Sequence, residues 1–314
     1  RTNADRAAAA GITTVRDLGG PIELLEEIAS WENTADVVAS GPPLTRPGGH
    51  LALFGGEVLD EAEVEKAIAR ATRAGAKAVK LILSGGGMTP GSKPHRAELA
   101  PEVAKAAVRL AHHAGMRVAA HCHATEAMWV ALGAGVDTIE HASCLGPDGK
   151  PAFDPSLAEA LRKDGVVVSP TAISGIRLSS LYEAADRLNP DDLYAVTRLK
   201  ARAAFVRRWA DSQVILIAGS DAGVTETPFD SVLDEVEEYT KWGLDAASAL
   251  RTATCDSADA LGLSDRGEIQ AGKRADLIVL SQDPTRDILA LRQPMAVLVE
   301  GQTVKPMERQ AETA

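Results

Sequence analysis

Short apolar runs alternate with helical patterns for most of the chain's length, and this alternation limits the fold more than anything else in it. The strand candidates are 12–16, 36–40, 77–83, 117–121, 136–140, 165–169 and 214–219. Amphipathic stretches stand between them, at 61–74, 101–114, 155–164, 191–211 and 229–241. Pro101 suits a first helical turn, and Gly75, Gly115 and Gly165 fall where a left-handed C-terminal cap is wanted. Strands separated by helices pair in parallel, which makes the chain α/β. No GxGxxG or GxxxxGK[ST] follows a strand, so the phosphate turn of a doubly wound nucleotide fold is lacking. A (β/α)8 barrel instead places its functional groups at the C-terminal ends of several strands. Seven strands are counted, one short of a full barrel. Beyond about residue 262 the helical period stops; 262–306 reads as a small β-rich unit outside the barrel and 307–314 as a tail, leaving 1–261 for the barrel.

Composition narrows the function classes. With 33 Lys+Arg against 44 Asp+Glu, the net charge of -11 gives no electrostatic reason to bind nucleic acid or an anionic membrane. No apolar run approaches the ~18 residues of a membrane span. Cys122, Cys144 and Cys255 form no CxxC pair, which argues against a disulfide scaffold and for a reducing, cytoplasmic compartment. The expected partner is a small-molecule substrate, with a homo-oligomer left open.

The chemistry-bearing residues cluster at strand ends. Lys80 sits inside the apolar run AVKLIL, where a lone ammonium is costly and calls for a partner or a modification. Strand alternation puts His121 and His123 on one face and Cys122 on the other. His141 ends the next strand, and Asp221 ends VILIAGSD before a Gly223 turn. Taken singly, each has a plain structural reading: a paired core lysine, a core histidine, a helix N-cap. Four metal-compatible groups on four strands outweigh those readings. His112 and His113 suit a helix C-terminus, His95 a loop, and Cys122 and Cys144 small core positions.

Several stretches together resemble the amidohydrolase superfamily, in its imidazolonepropionase-like and prolidase-like branch. They are GITTVRDLGG, PGGH ending at His50, GAKAVKLILSGGGMTP, VAAHCHATEAMWVALGAGVDTIEHASCL, AGSDAG and GEIQAGKRADLIVL. The resemblance implies a distorted (β/α)8 barrel with a small β-sandwich, and one or two divalent ions, often zinc, at the barrel mouth. It implies that Lys80 carries a CO2-derived carbamate that bridges the ions. His121 and His141 would bind one ion; Asp221 would bind the other and shuttle a proton. His123 and His50 would contact substrate, with His123 also serving catalysis; apart from the resemblance, Arg177, which closes SPTAISGIR after the seventh strand, is a candidate to hold a substrate carboxylate. The expected activity is hydrolysis of an amide, peptide or cyclic amide C–N bond by a metal-activated water. Phosphotriesters, carbamates or lactones are alternative substrates of the same site. The family's His-x-His pair at the end of the first strand is not in this sequence, whose one HxH is His121-Cys122-His123. A fragment of a longer enzyme, starting inside the helix after the first strand, is therefore expected. A catalytically silent chain that binds a ligand or partner is the further alternative.

Overall fold

The computed structural model describes residues 1–184 and 190–305. The expected tail at 307–314 lies outside them. Six parallel strands make the wall: β1 (Thr14–Asp17), β2 (Asp36–Ala39), β3 (Ala78–Ile82), β4 (Arg117–Ala124), β5 (Thr138–Leu145) and β6 (Val167–Ser169). β1 pairs with β2, and β3 through β6 pair in sequence order. Bridges between Leu44 and Leu81 and between Val168 and Leu216 carry the pairing across the remaining seams. The wall thus runs from β1 to the 214–217 segment, seven parallel segments in chain order among the described residues.

Helices cover the outside: α1 (Thr2–Ala9), α2 (Glu23–Ile28), α3 (Glu61–Arg73), α4 (Pro101–His113), α5 (Thr125–Ala134), α6 (Pro155–Asp164), α7 (Ala172–Glu183), α8 (Pro190–Asp211), α9 (Val232–Lys241), α10 (Ala246–Thr252) and α11 (Cys255–Leu261). Their ends follow local chemistry. Asp60 caps α3 by accepting from Glu63 N–H, and Asp154 caps α6 by accepting from Ser156 and Leu157 N–H. Gly135 and Gly165 close α5 and α6 in the left-handed conformation, which costs glycine no Cβ clash. Alternation along the strands splits the wall into two faces. Val79, Leu81, Val118, Ala120, Cys122 and Ile139 pack outward with Val103, Ala107, Met128, Leu157 and Leu161 in one continuous apolar core. Lys80, His121, His123 and Glu140 stand at the intervening positions and face the barrel axis.

Curvature of the wall follows from one ion pair. Arg16 on β1 reaches Glu140 on β5, Nη2 to Oε1 at 2.7 Å, and its Nη1 donates to Thr138 Oγ1. In a flat sheet four strand spacings would separate β1 from β5 by ~19 Å, beyond the reach of one arginine. The wall is therefore rolled, and this pair crosses its interior. Burial by itself would raise the Glu140 carboxyl; Arg16, Lys80 and the Thr138 hydroxyl outweigh it and hold Glu140 below the usual carboxylate range.

Past α11 the chain forms an antiparallel sheet of β7 (Leu277–Val279), β8 (Ala296–Val299) and β9 (Gln302–Lys305). It is tied to the base of the wall by charge. Arg266 and Arg274 both donate to Asp36 at the start of β2, and Arg266 also donates to Thr14 on β1. No helix among the described residues is long and apolar enough to cross a membrane.

Candidate active site

Four imidazoles converge at the C-terminal ends of the strands. The ring centroids of His121 lie 4.9 Å from His50, 4.6 Å from His123 and 4.6 Å from His141. One ligand atom from each of His121, His123 and His141 falls within 4.8 Å of the others, and all three residues are buried. The strand parity that aims His121 and His123 at the axis does not aim His141 there. Thr138 and Glu140 occupy the inward positions of β5, so a regular strand would turn its neighbour outward. The backbone leaves β geometry at that point: His141 has φ 72°, and Ala142 and Cys144 follow at 45° and 48°. The β4–β5 register slips in the same place, and the slip swings the His141 ring inward.

Each ring is oriented by a second group. The Gly85 carbonyl can only accept, so His121 carries its proton on Nε2 and donates it there across 3.1 Å. His123 Nδ1 lies 2.8 Å from Ser143 Oγ, and His141 Nδ1 lies 2.7 Å from Thr171 Oγ1. One nitrogen of each ring is thus held and the other is left for the interior, the arrangement in which metal-ligating histidines are found. Burial pushes all three imidazoles well below their ordinary pKa, and the neighbouring cations and rings add to it. They are neutral at pH 7, the form that binds metal. His50 Nδ1 lies 2.8 Å from Thr89 Oγ1, and burial lowers its pKa to about 4. A Cβ on Gly86 would come within 2.3 Å of the His50 ring, so the glycine-rich turn lets the β3 loop press onto that imidazole.

Lys80 lies in the same interior. Its Nζ has no ion pair within 4.0 Å and no hydrogen bond among the described residues. Burial lowers its pKa, against the opposing pull of Glu140. A buried amine biased toward its free-base form is the form that reacts with CO2, and a carbamate would add an anionic oxygen donor beside the neutral imidazoles. Asp221 sits across the mouth in a left-handed turn, φ 57°, and Ser174 Oγ lies 3.4 Å from its Oδ2. These donors fit a divalent ion: neutral imidazoles with a free nitrogen, a carboxylate, and an amine able to become one.

The Arg177 guanidinium is engaged with protein groups. It pairs with Asp234 at 2.7 Å and donates to Ser231 Oγ and the Glu226 carbonyl, which joins α7 to α9. His112 and His113 end α4, where His112 meets Asp137.

Sequence reasoning passed over Glu235 and Arg202. Glu235, on α9, is wholly enclosed and accepts from Ala172 and Ile173 N–H, pinning the turn that holds Thr171. Arg202 Nη1 donates to Thr171 O, Thr171 Oγ1 and Ser174 Oγ. Burial lifts the Glu235 pKa to about 7, against the backbone amides that favour its anion. A carboxyl raised on folding binds its proton more tightly in the folded state, so the folded state loses ground as pH rises from about 4.5 to about 7. Glu235→Gln is expected to remove that slope. Urea midpoints measured from pH 4.5 to pH 8 check it: wild type declines across the window and the variant runs flatter.

The chain belongs to the amidohydrolase family, whose model matches residues 1–305. An uncharacterized protein of Mycobacterium tuberculosis is 31% identical over 310 residues, covering 94% of this chain and 76% of that protein. Ochratoxinase of Aspergillus niger is 26% identical over 322 residues, covering 91% of this chain and 63% of that enzyme. Among solved structures, a Xaa-Pro dipeptidase with methionine bound in its active site superposes with a TM-score of 0.86 at 26% identity, covering 96% of this chain and 77% of that one.

Proposed function

We propose that this chain is a metal-dependent hydrolase that cleaves an amide C–N bond. The observation that carries the reading is the trio of buried, neutral imidazoles, each with one nitrogen held and the other facing the interior, beside an unpartnered lysine. His121, His141, a carbamylated Lys80 and Asp221 would hold the ion or ions, zinc being the metal that best suits imidazole and carboxylate donors. The chemistry supplied there by a bound divalent ion would be a lowered pKa for water and polarisation of a carbonyl.

The remaining work belongs to the side chains. Asp221 takes one proton from the attacking water and delivers it to the departing nitrogen, which leaves as an amine; the acyl carbon becomes a carboxylic acid, whose remaining proton passes to the amine or to solvent to give the carboxylate. Ser174, beside Oδ2, steadies the carboxylate between those two transfers. His123 donates toward the carbonyl oxygen as negative charge grows on it. His50, under the β3 loop, borders the substrate. Arg177 enters as a brace that fixes α7, and with it Ser174, against α9. The kinship with ochratoxinase and with a Xaa-Pro dipeptidase supports an amide as the target.

The test is a substrate panel on the zinc-loaded protein: dipeptides, N-acyl amino acids, a lactam, a phosphotriester and a lactone, each with and without a chelator. Amide turnover that disappears on chelation is the expected result. Faster turnover of the phosphotriester or lactone would transfer the site to that chemistry. A folded, metal-loaded chain that turns over nothing would leave the silent, ligand-binding reading.

A further inference from the structure

Two arginines one helical turn apart on α8 lie beside groups that hold the imidazole cluster, and neither has a carboxylate partner within 4.0 Å among the described residues. Arg202 is 5% exposed and Arg198 is 7% exposed. Guanidinium groups are seldom buried this far without a paired anion. The nitrogens of Arg202 are in three different situations. Nη1 is used on Thr171 and Ser174. Nε is enclosed with no acceptor. Nη2 has neither an acceptor nor full enclosure among the described residues. Arg198 stands toward the mouth: a Cβ on Gly87 would lie 3.0 Å from its Nη2, so its guanidinium lies against the glycine turn that also covers His50. The placement relative to the site is electrostatic as well as geometric. Arg202 acts on His121, His123 and His141, and Arg198 acts on His123. Burial lowers the pKa of Arg202 only to about 10, so the group stays charged at neutral pH. Asp221 and Glu235 are the acidic groups that act on Arg202; the hydrolase reading occupies Asp221 with metal and proton, and the Glu235 oxygens accept from the Ala172 and Ile173 amides.

We propose that Arg202 and Arg198 form a carboxylate clamp, and that the substrate is an amide bearing a free carboxylate close to the scissile bond: an N-acyl amino acid or a short peptide bound by its C-terminus. A planar guanidinium offers paired donors that match the two oxygens of a carboxylate, and such charge-assisted bonds are stronger still when water is excluded. The incoming anion would accept from Nη2 and balance a buried positive charge. Because both arginines adjoin the imidazoles, the carboxylate has to lie near the carbonyl under attack. Neutral amides of the same shape would leave the clamp unpaired and are rejected for that reason. This substrate assignment rests on the hydrolase reading; the clamp as a binding site does not.

The probes are N-acetyl-L-leucine and its neutral isostere N-acetyl-L-leucinamide, titrated calorimetrically into the metal-stripped full chain, so that no ion can bind the carboxylate. The acid is expected to bind at least about tenfold tighter than the amide. Arg202→Met should abolish that preference and leave amide affinity unchanged, Arg198→Gln should reduce it several-fold, and Arg177→Met should leave it intact. If Arg202→Met does not fold, as judged by its melting curve, Arg198→Gln and Arg202→Lys carry the comparison; lysine keeps the charge but loses the fork and should retain only part of the preference. Equal binding of acid and amide, no binding of the acid, or a preference that survives both Arg198→Gln and Arg202→Lys overturns the clamp. Metal-dependent turnover of acid and amide alike would remove the clamp and leave the hydrolase standing. Carboxylate-selective binding without turnover would do the reverse.

Discussion

Replacing Glu140 by alanine is expected to destabilise the fold by about 3–5 kcal/mol, the range seen when one partner of a buried ion pair is removed. The cause is the charge left behind. Arg16 would keep a guanidinium in the barrel interior with only Thr138 Oγ1 to accept from it. Lys80 would lose the anion that most favours its charged form. Arg16 and Glu140 also sit on strands four positions apart, so the contact holds the wall rolled, and its loss frees β1 and β2 from the far side. Urea unfolding curves measure the effect. A double variant, Arg16→Met with Glu140→Leu, should lose less than Glu140→Ala alone, because the guanidinium is removed together with its partner. A loss of about 1 kcal/mol or less for Glu140→Ala, the value of an exposed pair, would mean that the interior is wet and the pair does not close the wall.

Asp221→Asn is expected to lower kcat by about 10²–10⁴ on any amide the enzyme accepts, the usual contribution of a positioned proton carrier. Asparagine keeps the size of the side chain and tolerates the left-handed turn better than most residues. The melting temperature should therefore barely move, which separates a catalytic effect from a folding one. KM should change far less than kcat, because the proton transfers belong to the transition state. Steady-state kinetics paired with metal analysis of the variant decides the matter. Turnover within a few-fold of wild type would remove Asp221 from proton transfer.

Strand and helix order was legible because period-2 and period-3.6 patterns survive averaging along the chain. The inward facing of His121 and His123 was legible for the same reason, since two positions on one strand share a face. His141 shows where that reasoning ends. Parity from Thr138 and Glu140 would turn it outward, and only a run of left-handed backbone that no residue type announces brings it in. The Arg16–Glu140 pair was missed because its members lie 124 positions apart. A carboxylate in the middle of DTIEH was the available sign that something charged must meet it. The clamp was missed because basic residues on a helix ordinarily face solvent. Its sign was the spacing: Arg198 and Arg202 continue the stripe of Phe205 and Trp209, whose side chains are buried in the core.

His141, Thr171 and Asp221 each hold backbone angles that suit glycine, at φ 72°, 48° and 57°. Non-glycine residues in that region cost about 1–3 kcal/mol apiece and persist where the surroundings over-determine them. At these three positions, then, relief of backbone strain and retention of the working side chain are opposed. Selection for thermal tolerance alone would drift them toward glycine and lose the site without disturbing the barrel. Consensus or stability-guided redesign of this chain has to exempt those three positions, because a melting temperature would score their loss as an improvement.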